Sequence, residues 1–301
     1  MTSTRFDDRP PICDYEGSAY QSEFWEKGER EYEDGAEAIA LKRLVPRRGE
    51  LLLEVGAGAG RNTSRYAGFE RIVLLDYSHT QLRQAQARLG WSGRYLFVAA
   101  DVYRLPFVAG LFDAATMIRV IHHLAAVPSA LAQIRAVLRP HATFVLEFAN
   151  KQNLKAIGRW LLRRQAWNPF DVQPVEFAAL NFDFHPALMR QWVRDADFTI
   201  RDQLAVSYFR LGLLKRLVPL GWLIGLDARA QWTGRLFPLS PSVFVRAQAP
   251  GGGKVAPPGK FFRCTACGCD DLKDNGDHLE CPECGRRWAV RDRIYDFKEP
   301  L

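Results

Sequence analysis

Long apolar runs are missing from this 301-residue chain. The longest, LVPLGWLIGL at 217–226, is about half of the roughly 20 residues that a bilayer-spanning helix needs. The opening stretch, MTSTRFDDRPP, is polar and has no apolar core of a signal peptide. Together these absences give the expectation of a soluble, cytoplasmic protein. Internal repeats and low-complexity tracts are also lacking, which excludes solenoids and disordered arrays. Acidic charge is not in surplus: 41 basic side chains face 34 acidic ones, for a net charge of +7. The excess lies entirely within 151–250, where 14 basic residues meet 7 acidic ones. The surplus can meet an anionic partner, but no stretch there is dense enough to be a polybasic arm, which favours a solvated face.

Cysteine is sparse, with 6 residues, and is unevenly placed. Cys264, Cys267, Cys281 and Cys284 form two CxxC pairs, a spacing that lets both thiolates of each pair reach one tetrahedral zinc. Gly268 and Gly285 directly follow the pairs, where a tight turn is needed. Four sulfur ligands leave no open coordination position, so the expected zinc is structural. A module this short has little core, and the metal would supply much of its folding free energy. Cys13 and Cys269 are read as free thiols.

Elsewhere, short apolar runs alternate with amphipathic stretches. ELLLEVG, RIVLLDYS, RYLFVAAD, FDAATMIRV and HATFVLEFA read as strands, with helices between them. Strands apolar on both faces and separated by helices predict a parallel sheet covered on both sides. The fold class is α/β: a doubly wound, mostly parallel, seven-stranded Rossmann-like sheet with a small C-terminal zinc ribbon. The expected division is 1–248 for the main domain, with a helical cap at 15–46, a core at 48–150 and an insert at 151–239. A Gly/Pro-rich linker at 249–259 and the ribbon at 260–301 follow. TIRDQLAVS and SPSVFVRAQ predict two further strands, the second antiparallel at the sheet edge, and NTSRYAGF predicts the start of a helix after the glycines.

The stretch LLLEVGAGAG places Gly56, Gly58 and Gly60 immediately after a strand. Glycines there allow a tight turn and a close approach of backbone to ligand. Glu54, just before them, would repel a pyrophosphate and suits a cation. Asp76 ends the second strand and can accept from two ribose hydroxyls. Asp101 ends the third and can accept from an exocyclic amine. The implied ligand has an amino-acid-like cationic end, a ribose and an adenine, and no phosphate, which is S-adenosylmethionine.

LLLEVGAGAGRNT, VLLDYS, AADVYRLPF, FDAATMIRVIHHL and LRPHATFVLEF together resemble the class I S-adenosylmethionine-dependent methyltransferases, type 11-like, in their small-molecule and quinone/sterol branch. The resemblance covers about 48–150 closely. It implies that Gly56, Gly58 and Gly60 lie under the methionine part, that Asp76 with Tyr77 borders the ribose, and that Asp101 and Val102 face the adenine. It also implies that Arg119 borders the methyl donor. The tail RWAVRDRIYDFKEP resembles bacterial Trm112-like zinc ribbons, whose relatives elsewhere are activator subunits of methyltransferases, which implies an activator-like module in cis.

A sulfonium methyl is already activated, so the enzyme mainly aligns the nucleophile and excludes water. His122 and His123 follow the fourth strand and are candidates for a base, for lining or for packing. His185 is a weaker candidate for substrate contact, and Tyr20 and Trp25 for capping the site. The Leu- and Trp-rich segment 207–239 can line an acceptor pocket, extend the core or lie on a membrane with Arg210, Lys215 and Arg216 toward headgroups. The expected activity is methyl transfer (EC 2.1.1.-) to a small or lipid-like acceptor. An RNA- or protein-modifying enzyme docking through the ribbon is the alternative; nucleic acid is less favoured because the chain reads IRVIHH where an NPPY-like motif would stand. A non-catalytic scaffold is the third reading.

Overall fold

The structure is a computed structural model that describes residues 10–18 and 30–301, the side chain of Leu213 excepted. Tyr20, Trp25 and most of the expected cap before Arg30 lie outside the described residues. Five parallel strands carry the fold: β1 (Gly49–Val55), β2 (Phe69–Asp76), β3 (Tyr95–Ala99), β4 (Phe112–Met117) and β5 (Leu138–Ala149). Each is buried on both faces along its second half, as its unbroken apolar run dictates. Alternate residues serve opposite cores: Leu53, Val73 and Leu75 pack on one face, and Leu52, Ile72 and Leu74 on the other.

Helices α1 (Glu31–Leu44), α2 (His79–Leu89) and α3 (Val127–Val137) cover the faces. Ser78 starts α2 by accepting from the Gln81 N–H, and Gly90, at φ 71°, ends it. The chain beyond β5 adds α4 (Leu154–Leu161), a hairpin of β6 (Val175–Ala178) and β7 (Asn181–Asp183), α5 (Pro186–Asp195), β8 (Thr199–Val206), α6 (Gly212–Leu217), α7 (Leu220–Ala230) and β9 (Ser242–Gln248). Helix α7 docks on α1, where Asp227 accepts from the Tyr32 hydroxyl at 2.6 Å.

Three expectations change. The segment after the glycines forms only a 3₁₀ turn, Thr63–Tyr66, because Gly68 must pass against the Arg47 carbonyl and β2 begins one residue later. A Cβ on Gly68 would sit 1.7 Å from that oxygen. The antiparallel strand β9 is not at the edge but lies between β5 and β8. Finally, the ribbon does not stand apart.

Its strands β10 (Lys273–Asp274), β11 (His278–Glu280), β12 (Arg287–Arg291) and β13 (Ile294–Asp296) extend the main sheet, giving the order β10-β11-β12-β13-β3-β2-β1-β4-β5-β9-β8. The joint is the parallel pair β13–β3, with Ile294, Tyr295 and Asp296 opposite Phe97, Val98 and Ala99. Trp288, Phe297, Leu279 and three of the cysteines, Cys264, Cys269 and Cys281, belong to the same buried cluster as Leu53 and Phe107. The chain 254–256 also packs on Gly110, whose carbonyl accepts from the Ala256 N–H at 3.0 Å. A glycine count reads as a spacer, but these glycines let a packed strap turn. Ile294 is fully buried at this joint. Ile294→Ala should cost about 2–5 kcal/mol in the urea unfolding of the whole chain, as a single transition. A separate early transition for the ribbon would contradict the shared core.

Candidate active site

The carboxyl ends of β1–β4 meet in one cleft, the usual place for a ligand on an open α/β sheet. It encloses about 800 Å³ of space, open mouth included, and is lined by Gly56, Gly58, Asp76, Tyr77, Asp101 and Val102 among others. The glycine turn requires its glycines. Gly56 has φ 66°, and a Cβ there would lie 2.1 Å from Val120. Gly58, at φ 53°, donates its N–H to Asp76 Oδ2 at 2.8 Å. Gly60 packs on Ala85 and Leu89 of α2 instead of lining the cleft.

Asp76 Oδ1 accepts from the Ser78 N–H at 2.9 Å, so two backbone donors fix its carboxylate at the cleft wall. Burial still raises its pKa. Asp101 Oδ1 accepts from the Tyr103 N–H at 2.8 Å, which aims this second carboxylate along the same wall. Ile12, Cys13 and Tyr15, from the short amino-terminal segment, form the roof. Cys13, read as a thiol without a role, is therefore part of the cleft.

Beneath the glycine turn lies Glu54, fully buried, with Thr63 Oγ1 donating to its Oε2 at 2.6 Å. Burial pushes its carboxyl up to about 7, against the pull of Thr63, Arg61 and Arg65. It lines a smaller annex with Gly56, Arg61 and Arg119.

Arg119 is a non-glycine residue in the left-handed region, at φ 59°, a conformation that costs on the order of 1 kcal/mol or more. Two anchors hold it there. Its N–H donates to Glu147 Oε2 at 3.0 Å, and its guanidinium meets Glu37 Oε1, with Nε at 2.6 Å. Glu37 also accepts from Arg61 Nη2 at 2.7 Å. Burial alone would raise the Glu37 pKa, but Arg119 and Arg61 outweigh it and hold the carboxyl at about 2. Arg61 and Arg65 both bind Asp34, one helical turn away. Helix α1 is thereby pinned to the glycine turn and to the end of β4.

A second cavity, about 990 Å³ with its mouth, adjoins the first. The two share Tyr15, Arg119 and His123, and the second adds His122, Asp183 and Arg210. His123 Nδ1 lies 3.0 Å from the Leu180 carbonyl, which can only accept, so that nitrogen carries the proton. Its Nε2 then accepts from the Tyr15 hydroxyl at 3.0 Å. Burial lowers the pKa of His123, partly offset by the Leu180 carbonyl. His122 is driven well below its usual range by burial first, and then by its neighbours His123, Arg119 and Arg210. Among the described residues, His122 Nδ1 is buried and finds no hydrogen-bond partner. Burial pushes Asp183 up to about 6, against the pull of Arg210.

His185 caps α5, accepting from the Ala187 N–H through Nδ1 at 3.1 Å, and lines neither cavity. The three cations that a membrane-surface reading of the segment 207–239 would turn toward headgroups divide differently. Arg210 turns into the second cavity and Lys215 binds Glu33 at 2.7 Å, leaving Arg216 exposed.

The four paired cysteines converge at the far end of the sheet, their sulfurs all within 4.8 Å of one another. Cys264–Cys284 and Cys267–Cys281 are 3.7 and 3.5 Å apart, close to the edge of about 3.8 Å that a tetrahedral zinc tetrathiolate would set. The two knuckles repeat one geometry: the Gly268 and Gly285 N–H groups each donate to the carbonyl of the first cysteine of their pair at 2.9 Å. From this segment Asp296 reaches His79 Nε2 at 2.8 Å, and Lys298 lies over the Tyr77 ring at 5.1 Å.

Residues 53–146 match the methyltransferase domain family. Over 109 residues the chain is 36% identical to the O-methyltransferase cnsE of Penicillium expansum, covering 35% of this chain and 40% of that protein. It is 32% identical over 136 residues to the ubiquinone/menaquinone biosynthesis C-methyltransferase UbiE of Paracoccus denitrificans, covering 43% and 54%. It is 33% identical over 89 residues to the malonyl-[acyl-carrier protein] O-methyltransferase of Legionella pneumophila, covering 29% and 30%. The chain thus spans about half or less of the curated relatives it matches. Among solved structures, a complex of the Haloferax volcanii Trm112 methyltransferase activator with a methyltransferase aligns at TM-score 0.55 and 17% identity, over 77% of this chain and 96% of that one. The [4+2]-cyclase SpnF aligns at 0.52 and 19%, over 73% and 82%. The match to the methyltransferase domain family is confined to residues 53–146, and since a cyclase shares the fold, the fold alone does not fix the reaction.

Glu37, Tyr15, Asp183 and the cavity role of Arg210 were not foreseen. The one available signal was on α1: Glu33 and Glu37 fall on the face that buries Tyr32, Ala36 and Ala40, an improbable place for acids without partners. Glu37→Gln should destabilise the chain by about 3–5 kcal/mol, because it leaves two guanidinium groups without their carboxylate. Because the folded pKa lies below the ordinary 4.5, the contribution is complete above that value and is lost as pH falls toward about 2. Acid titration of denaturant midpoints should show this loss in the wild type and less of it in Glu37→Gln; parallel curves would refute the assignment.

Proposed function

We propose that the chain is an S-adenosylmethionine-dependent methyltransferase acting on a small acceptor, with a structural zinc in its ribbon. The observation that carries this is the join between the cavities: a cleft walled by Asp76 and Asp101 opens at Tyr15, Arg119 and His123 onto a second, polar cavity. The residues fit the donor. The turn of Gly56 and Gly58 leaves backbone against the cleft, and the two fixed carboxylates offer acceptors to ribose hydroxyls and an adenine amine. Buried Glu54 answers a cationic end. When bound, the sulfonium supplies an activated methyl group.

The chain's own residues do the rest. Tyr15 and Ile12 roof the cleft and exclude water, and the strained Arg119 turn forms the wall at the junction. His123, held by Leu180 and Tyr15, positions the acceptor side of that junction. Asp183 is the nearest candidate to take a proton, because its carboxyl lies on the second cavity and burial brings it near neutrality. The curated relatives' names, an O-methyltransferase, a quinone C-methyltransferase and a malonyl-[acyl-carrier protein] O-methyltransferase, support a small or lipid-like acceptor.

The ribbon supports the donor cleft directly. Strand β13 pairs with β3 up to Ala99, the Phe297 N–H donates to the Ala99 carbonyl at 2.8 Å, and Asp101 follows two residues later. His79–Asp296 and Tyr77–Lys298 brace the other wall.

Two outcomes follow. Below about pH 7 a protonated Glu54 must lose its proton to receive a cation, so donor affinity should rise as pH passes up through about 7. Glu54→Gln should bind on the order of 10-fold more weakly at pH 8 and flatten that profile in calorimetric titration; an unchanged profile would remove Glu54 from the donor site. Zinc removal by a chelator should lower the melting temperature and weaken S-adenosylhomocysteine binding together. Full donor affinity in a metal-free chain would sever the ribbon from the site.

A further inference from the structure

Arg210 follows β8 and turns its guanidinium into the second cavity. Its Nε and Nη2 are shut off from solvent and have no hydrogen-bond partner among the described residues. These two nitrogens form one edge of the guanidinium fork, the edge that binds a carboxylate or phosphate with two parallel bonds. The neighbouring carboxylates do not fill it. Glu147 spends Oε1 on the Ser242 hydroxyl and Oε2 on the Arg119 N–H, and Glu37 is committed to Arg119 and Arg61. Asp183 lines the same cavity without bonding that edge. Burying a cation without a partner costs several kcal/mol, a cost a chain carries where a ligand completes the pair.

We infer that the second cavity holds an anionic group of the acceptor, a carboxylate or a phosphate, paired with the guanidinium of Arg210. This rests on the methyl-transfer reading for the word acceptor, while the anion site stands on Arg210 itself. The anion fixes one end of the substrate. The other end faces the junction at Tyr15, Arg119 and His123, where the donor cleft opens. Asp183 and the buried His122 Nδ1 remain to contact the body of the substrate. A wholly apolar acceptor would leave the guanidinium edge dry and unmet, so the geometry selects a small acid over a neutral lipid. The basic surplus of 151–250 is consistent with attraction of such an acid to this side of the molecule.

The test is saturation-transfer NMR on the zinc-loaded full chain with sodium benzoate as the carboxylate probe, benzamide as its neutral counterpart and inorganic phosphate as competitor. Each is measured with and without S-adenosylhomocysteine. The wild type should bind benzoate and not benzamide. Arg210→Gln should weaken benzoate at least tenfold, Arg210→Lys should weaken it less by keeping the charge without the fork, and exposed Arg216→Gln should leave it unchanged. Phosphate that displaces benzoate more tightly than benzoate itself binds would make the acceptor's anion a phosphate; weaker displacement would make it a carboxylate. Benzoate bound equally by Arg210→Gln, or not bound by the wild type, overturns the inference. Benzoate binding through Arg210 in a chain that does not bind S-adenosylhomocysteine would leave the anion site standing and sink the methyl-transfer reading instead.

Discussion

Glu37 has no exposure to solvent, and two guanidinium groups converge on its carboxylate. That cluster sets much of the geometry around the cleft. Arg61 comes from the glycine turn, Arg119 from the end of β4, and Glu37 from the helix that precedes the first strand. Without the carboxylate, the Arg119 backbone would have only Glu147 to hold it at positive φ, and the wall between the two cavities would be weakened. The same helix receives α7 through Tyr32 and Asp227, so the insert that follows β8 is positioned by the same support. Arg210 reaches the second cavity from the chain between these elements.

The ribbon is the second organising constraint. Four cysteines at the far end of the sheet would be an unremarkable metal clip if their module were tethered by a spacer. Instead β13 lies in register beside β3, and the aromatic cluster of Phe107, Phe262, Trp288 and Phe297 runs through the joint. Order at the knuckles is thus transmitted along a strand to the residues that carry Asp101, and by His79 and Tyr77 to the opposite wall. A covalently attached ribbon keeps this brace at high effective concentration at all times.

Much of the sheet was legible in the sequence because its signals are local. ELLLEVG and RIVLLDYS are continuous apolar runs, and a strand buried on both faces has no other way to look. Asp76 and Asp101 were readable because each closes such a run, and a carboxyl end of a parallel strand is where a ligand sits. What was not legible depends on distance along the chain. Tyr15 meets His123 across 108 residues, Arg119 meets Glu37 across 82, and neither pair has a spacing that periodicity can report. For the segment around Arg210 the sequence left a pocket wall, a core extension and a membrane surface open, because its neighbours are leucines and basic residues; only the fold shows that Arg210 lines the second cavity. The edge position assigned to β9 failed for a related reason: strand order is set by long-range pairing, and β8, which precedes it, takes the outer place.

The central claim is that the Asp76–Asp101 cleft is a methyl-donor site. Calorimetric titration of the zinc-loaded chain with S-adenosylmethionine and S-adenosylhomocysteine, repeated on Asp76→Ala, tests it most directly. The account predicts stoichiometric binding of both by the wild type and a loss of tenfold or more in the variant, as expected when a carboxylate that receives ligand hydroxyls is removed. A folded, metal-loaded wild type that binds neither, or a variant that binds both as well as the wild type does, would contradict it.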